Sequence, residues 1–528
     1  MAKGHDLVII GAGPNGLVAA GCLAKAGLRP LVLEARSLVG GRAVTEEIHP
    51  GFRCPTVAHG AGPLVRQVVR ALEPGAFGLE WLAPPVRVLA PALEGFSLAI
   101  FDDPARTAAG LRGLSARDAA VYPEFAATLA RMGRALGPLG SMTPPSTESL
   151  SGRDLWNLLR LGKRLRGLGK KDLYRILRWG PMSAADFVAE WFENDLLSAT
   201  ISARGIHGSF AGPRSPGTTA GILLQAAWDG QATAPALFPR GGLGALTAAL
   251  AASARAAGAE IRLGAKVAHI AVKDGAATGV VLADGEEIAA RAVVSGADPR
   301  TTFLELLDAA ALGPGFVGKM RNYRCRGSAA KVNLALSRLP RWQIGPAPTD
   351  LDLPALFGGR IHIGPEIDYL ERAYDAVKYG ELSPRPMLDI AIPSLLDPQL
   401  APPGAHVMSI HAQWVPHNRP AGDPERVANV VLDTLVQYAP DLREVVVGRQ
   451  VLTPVELEAE YGLGGGHLLH GEPTLDQLFA FRPLPGWAQY RTPIAGLYLC
   501  GAGTHPGGVI NGASGANASR EILRDLRN

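Results

Sequence analysis

Cysteine is scarce. The chain has four in 528 residues, Cys22, Cys54, Cys325 and Cys500, and no two of them form a CxxC pair. This excludes a disulfide framework and a cysteine-ligated zinc site, and it fits a reducing, cytoplasmic compartment. A dominant charge of one sign is also missing. Lys and Arg number 52 against 48 acids, a net charge of +4 that gives no reason to expect a nucleic acid partner. No HExxH pattern occurs, so no metal is expected. Long apolar runs are few. The uncharged stretch from Leu7 to Ala24 matches a membrane span in length, but the glycines at 11, 13 and 16, with Pro14 and Asn15, argue for a turn instead. What is present is a globular composition, 47% hydrophobic and 19% charged, in a chain long enough for at least two domains.

Asp6-Leu7-Val8-Ile9-Ile10 reads as a buried parallel strand, and Gly11-Ala12-Gly13-Pro14-Asn15-Gly16 follows it directly. Leu17, Val18, Ala20, Leu23 and Ala24 then recur at helical spacing, with Gly27 at the expected helix end. In this strand, turn and helix, Gly11 allows the tight turn and Gly13 lets a pyrophosphate approach the backbone. Gly16 permits close helix packing. A second strand, Leu31-Val32-Leu33, ends in Glu34, placed to accept hydrogen bonds from an adenosine ribose. Gly40-Gly41-Arg42 lies just beyond, two small residues and a forked donor suited to a bound phosphate or carboxylate.

From Val8 to Thr45 the chain resembles the opening of the FAD-dependent amine oxidase and phytoene desaturase superfamily, in which the Rossmann turn continues into a GGR segment. The resemblance returns from Pro239 to Pro299 and again at Gly501-Ala502-Gly503-Thr504-His505-Pro506-Gly507-Gly508. The run from Tyr461 to Ala518 is more similar still to the pyridine nucleotide-disulfide oxidoreductase domain-containing protein 2 group. That name suggests thiol chemistry, yet no CxxC exists here, and Cys500 is expected to pack in a buried strand. Ala502 stands where the amine oxidase branch commonly has an acid, which tilts the likeness towards the desaturases. The resemblance implies FAD held by Gly11, Gly13, Pro14, Asn15, Gly16, Glu34, Ala35, Arg36, Gly41, Arg42, Val267, Gly501, Thr504 and Ile510. It implies an α/β fold: a Rossmann-like FAD domain in three segments, 1–75, 235–300 and 490–528, and a mixed α+β substrate domain from 76–234 and 301–489.

Two segments stand out elsewhere. From Arg153 to Trp179 nine basic residues and two acids are interleaved with leucines and aromatics, an amphipathic basic stretch whose glycines divide it into two helices. It is either a solvated cap over the substrate site or a peripheral contact with anionic lipid. Residues 76–150 show turns and short apolar runs without a catalytic motif. In His411-Ala412-Gln413-Trp414-Val415-Pro416-His417, strand alternation puts His411, Gln413 and Val415 on one side and Trp414 on the other. His505 and Trp414 are the candidate catalytic side chains, His505 because its motif belongs at the flavin end of an FAD.

No second dinucleotide fold follows Gly241-Gly242-Leu243-Gly244, so oxygen or a quinone is the expected electron acceptor. The expected activity is an FAD-dependent dehydrogenase, desaturase or isomerase on a hydrophobic small molecule such as a polyene or lipid. An amine-type oxidase and a flavin-stabilised scaffold without turnover are the alternatives.

Overall fold

The run Leu7–Ile10 is apolar and buried at every position, as a strand covered on both faces must be. In the computed structural model, which describes residues 4–228, 237–347 and 351–527, it is the centre of a five-stranded sheet. The order is Leu497–Leu499, Ala292–Ser295, Leu7–Ile10, Pro30–Leu33, Glu260–Arg262, with every neighbour parallel. One sheet is thus assembled from three distant parts of the chain. Leu7 and Ile9 face the helices Pro14–Lys25, Leu243–Ala256 and Ala513–Arg527. Val8 and Ile10 face a three-stranded antiparallel sheet, Val267–Lys273, Ala276–Leu282 and Glu287–Ala289.

Asp274 and Gly275 turn the first hairpin of that small sheet at φ 51° and 74°, the left-handed pair that suits a two-residue turn. The sequence pattern runs its last strand on to Ala292, but the structure ends it at Ala289 and starts a new parallel strand at Ala292. The turn residues between them carry no strong breaker, so periodicity alone did not separate the two strands. The expected domain boundary at 234 and 235 lies outside the described residues.

The second half of the molecule is built on a seven-stranded sheet in the order Val446–Leu452, Ala329–Leu336, His406–Gln413, Met387–Ala391, Arg360–Ile363, Val86–Ala90, Leu98–Phe101. All pairings are antiparallel except that of Arg360–Ile363 with Val86–Ala90. Helices cover one end, among them the 21-residue Ala116–Leu136. Its sequence hides it, because Pro123 removes a donor inside the helix. Ser115 caps it by accepting from the Asp118 amide. The basic stretch does form two helices, Gly152–Arg166 and Gly169–Trp179.

A single buried side chain ties the loops where the two halves meet. Arg482, 1% exposed, donates to the carbonyls of Leu469, Gly471, Glu472, Gln477 and Ala502 at 2.9–3.3 Å. Its replacement leaves those acceptors unmatched away from water. Arg482→Met is therefore expected to cost about 3–5 kcal/mol of unfolding free energy, read from the urea midpoint of the FAD-loaded protein. A loss below ~1 kcal/mol would mean that water replaces the guanidinium.

Candidate functional site

The carboxyl end of the parallel sheet is a set of backbone turns packed without side chains. Gly11 has φ 91°, and a Cβ on Gly16 would lie 2.2 Å from the Gly11 carbonyl. Gly13 caps the helix Pro14–Lys25 without any side-chain bond, which leaves the first-turn N–H groups directed outward at the positive end of the helix. Gly41, at φ 54°, passes over this turn, 3.3 Å from the Gly13 Cα by the position of its absent Cβ. The Gly40 amide donates to the Ala12 carbonyl at 2.9 Å.

Glu34 is buried just after Pro30–Leu33 and accepts from the Ala12 amide at 2.8 Å and the Arg36 amide at 3.0 Å. The stretch from Glu34 through Ala35 to Arg36 is bonded in turn to Gly264 and Ala265, which brings Val267 beside it. Arg36 itself turns its side chain to Glu46 at 2.5 Å and to the face of Tyr461. Arg42 spans to the far end of the chain, donating to Leu468 O at 2.8 Å and to Gly508 O. Burial pushes its guanidinium down to about 10.

The second glycine junction lies beside the first. The Cys500 amide donates to Ser295 O, and a Cβ on Gly501 would sit 2.4 Å from Gly296 O. Thr504 closes its loop by donating to Gly501 O at 2.8 Å. A Cβ on Gly515 would lie 2.1 Å from Asn15 O, so the helix Ala513–Arg527 begins against the start of the first helix. Close by, the Asn511 side-chain nitrogen is buried with no described partner. Two helix starts, a carboxylate at ribose distance and an unmatched donor make a cradle that fits a dinucleotide.

Beyond the cradle opens a cavity of about 220 Å³. Arg42, Pro506, Gly507, Gly508 and Ile510 form its wall on the nucleotide side, and Leu224, Trp228, Leu237, Phe238, Leu468, Leu469 and Leu478 make it apolar. His505 is not part of that wall. Its ring bonds to Leu139 O at 2.7 Å and meets Phe479 edge-on, and burial lowers it to about 4. Trp414 is also elsewhere: at φ 43° it ends its strand and packs on Tyr374. The free thiols do not gather either. Burial pushes Cys54 and Cys500 up to about 12, so neither is reactive at neutral pH, and no metal-ligating cluster occurs among the described residues.

The floor of the cavity is one face of the seven-stranded sheet. Lys331, His411, Asp389 and His362 are successive cross-strand neighbours, so their side chains share that face. The opposite face carries Val332, Leu334, Ile410, Leu388 and Ile390. His59 and His207 join the polar row from loops. Lys331 Nζ donates to His59 Nδ1 at 3.0 Å and to Ser409 Oγ at 2.8 Å. His59 Nε2 faces Asp389 at 3.4 Å, and His207 Nε2 bonds to it at 3.1 Å. Burial opposes the charge of Asp389, but Arg360, His207 and His59 hold its carboxyl well below the usual range.

Burial and the nearby ammonium lower His59 to about 4. The imidazole is then neutral at pH 7, its Nδ1 accepting and its Nε2–H directed at Asp389. Burial lowers Lys331 to about 8, and it makes no ion pair with a described residue. His411 stacks on His207 with ring centres 4.2 Å apart and bonds to Gln413 at 2.8 Å.

Strand alternation therefore put His411 and Gln413 on the correct common side, but it stops at Gln413. Val415 packs on the opposite face with Ile410 and Ala412, and Trp414, at φ 43°, packs with Met387 on the polar side of the sheet, away from the cavity. Lys331 and Asp389 were missed. Their signal was present, a polar residue at period two inside Ala329–Leu336 and inside the apolar Met387–Ala391. A lysine is rarely buried within a strand, so its position there is itself a signal.

The comparisons agree with this geometry. The family model for flavin containing amine oxidoreductases matches residues 185–523, and that for NAD(P)-binding Rossmann-like domains matches 9–72. The chain is 36% identical to pyridine nucleotide-disulfide oxidoreductase domain-containing protein 2 of Rattus norvegicus, over 99% of this chain and 94% of that one. It is 29% identical to the phytoene desaturase (lycopene-forming) of Pseudescherichia vulneris, over 98% and 99%. Cyclohexylamine oxidase from Brevibacterium oxydans shares the fold, with a TM-score of 0.58 and 17% identity over the whole of both chains. The chain belongs to the flavin-containing amine oxidoreductase family and is an oxidoreductase with FAD as its cofactor.

Proposed function

We propose that this protein is a dehydrogenase of hydrophobic substrates, of the desaturase kind, in which Lys331 takes the proton as a hydride equivalent leaves the adjacent carbon. One observation carries the reading: a fully buried lysine, without a carboxylate partner among the described residues, on the wall of an apolar cavity that adjoins the dinucleotide cradle. When bound, FAD supplies the hydride acceptor. Gly13, Asn15 and Gly16 and, in the second junction, Gly501 to Gly503 would offer backbone N–H groups to its phosphates and ring, Glu34 a carboxylate to its ribose, and Arg42 a cation at their junction.

His59 and Ser409 fix the ammonium group so that its third position is open to the cavity. With the amine lowered to about 8, roughly one-tenth of it is free base at pH 7, enough for general base catalysis. Asp389 keeps His59 in the accepting tautomer. The leucines and Trp228 exclude water and bind an apolar chain. His505 and Trp414, outside the wall, act on loop shape and packing.

The same lining argues against amines. An ammonium substrate would meet Arg42, Lys331 and Arg360, with Asp389 the one carboxylate among the described lining residues and already matched by Arg360. The name of the lycopene-forming phytoene desaturase supports an apolar substrate. Oxygen or a quinone serves as acceptor in this reading.

Anaerobic mixing with a panel of polyenes, acyl lipids and primary amines tests it, with flavin bleaching as the signal. An apolar member should bleach the flavin, and reduction by amines alone would refute the proposal. With that substrate, Lys331→Met should keep its FAD but reduce it about 10²–10⁴-fold more slowly. The wild-type rate should rise with pH and level off above about 8, as the lysine loses its proton. Equal rates for both proteins would remove Lys331 from the chemistry.

The cradle has its own test. Gly16→Ala places a methyl group 2.2 Å from Gly11 O, so the turn must open. Flavin per chain should fall below roughly a tenth of wild type, the scale of losing one close backbone approach. Full flavin content in the folded variant would separate this turn from cofactor binding.

A further inference from the structure

The outer face of the two helices Gly152–Arg166 and Gly169–Trp179 is not that of a solvated cap. A surface helix normally turns its acids out and its large apolar residues in. Here both acids are buried. Asp154 closes a capping box with Ser151, and Asp172 binds Arg131 and Arg175. The large apolar side chains are divided: Trp179 is buried and Leu158, Leu165, Leu168 and Ile176 are half-buried, whereas Leu155, Trp156, Leu159, Tyr174 and Leu177 are each 54–65% exposed.

Around them lie Arg160, Lys163, Arg164, Arg166, Lys170 and Lys171, all exposed, and none forms an ion pair with a described residue. Arg160 and Lys170 lie over the faces of Trp156 and Tyr174, so charge and ring form one surface. No helix among the described residues is long and apolar enough to cross a membrane.

We propose that this helical pair docks the protein on an anionic lipid bilayer. The exposed leucines, Trp156 and Tyr174 enter the headgroup and acyl boundary, and the six cations contact the lipid phosphates. Charge complementarity selects this occupant. A second copy of the chain would bring the same six cations face to face, and a neutral apolar partner would leave them unused. The inference does not depend on the substrate or on Lys331.

The test uses the FAD-loaded full chain with vesicles of phosphatidylcholine alone and of equimolar phosphatidylcholine and phosphatidylglycerol, in a sedimentation assay at low and high salt. Binding should require the anionic lipid and weaken with salt. Replacing Lys163, Arg164, Lys170 and Lys171 together by Gln should lower the partition coefficient about fivefold per charge, several hundredfold in all, with flavin content unchanged. Trp156→Ser combined with Leu159→Ser should weaken binding while leaving its salt dependence in place. Brominated acyl chains should quench wild-type fluorescence more than that of Trp156→Leu.

Equal binding to both vesicle types, equal binding by the fourfold variant, or no binding at low salt would each overturn the proposal. So would a dimer, seen by light scattering, that Trp156→Ser dissociates while vesicles stay unbound, since the face would then serve self-association.

Discussion

Three backbone turns meet at the carboxyl ends of three neighbouring parallel strands, and almost no side chain fits among them. A Cβ on Gly16 would strike Gly11 O, one on Gly296 would lie 2.7 Å from Ile10 O, and one on Gly501 would lie 2.4 Å from Gly296 O. These contacts join residues near 10, 296 and 501, so the domain closes only when the chain has returned twice from the other half. The parallel order requires it, because each strand must re-enter the sheet from the same end. The seven-stranded sheet and its helices are inserted between those returns, which fixes their mouth against the nucleotide cradle. Arg42 and Arg482 then lock the seam through carbonyls and not through carboxylates.

The cavity floor obeys a different constraint. A lysine, imidazoles and a carboxylate share one buried sheet face, where each unmatched charge would cost several kcal/mol. The row is tolerable because its groups settle into one charged pair, several neutral rings and a single lysine whose charge burial weakens. Asp389 is matched by Arg360 and His207, while His59 and His411 stay uncharged. Lys331 is left with neutral partners only. A group held in that way titrates near neutral pH, and the arrangement resembles a poised base more than a structural ion pair. The apolar reverse face of the same strands anchors the row in the core.

Much of the nucleotide half was legible in the chain. Strand, glycine turn, helix and acid follow one another within thirty residues, and each step rests on local backbone rules: β-branched runs, positive φ at Gly11, a helix that starts without a side-chain cap. The basic segment was legible too, as two helices broken at Gly167 to Gly169, but that its acids are buried while Leu155, Leu159 and Leu177 stay exposed was not. That depends on Arg131, which lies 41 residues from Asp172.

By itself, then, the sequence determined the dinucleotide turn, the carboxyl-terminal glycine junction and the alternation that pairs His411 with Gln413, because all of these are set by neighbours along the chain. Tertiary structure alone decided which side of that strand lines the cavity, and so placed His411 at the site; it also ended the strand at Gln413, turning Trp414 away, and tied the ring of His505 to Leu139. It also decided the company of Lys331, whose partners His59 and Ser409 come from separate segments. The physical reason is the period of two along a strand. It says which residues share a face, whereas only the packing of one sheet against the other half of the molecule says which face is the wet one.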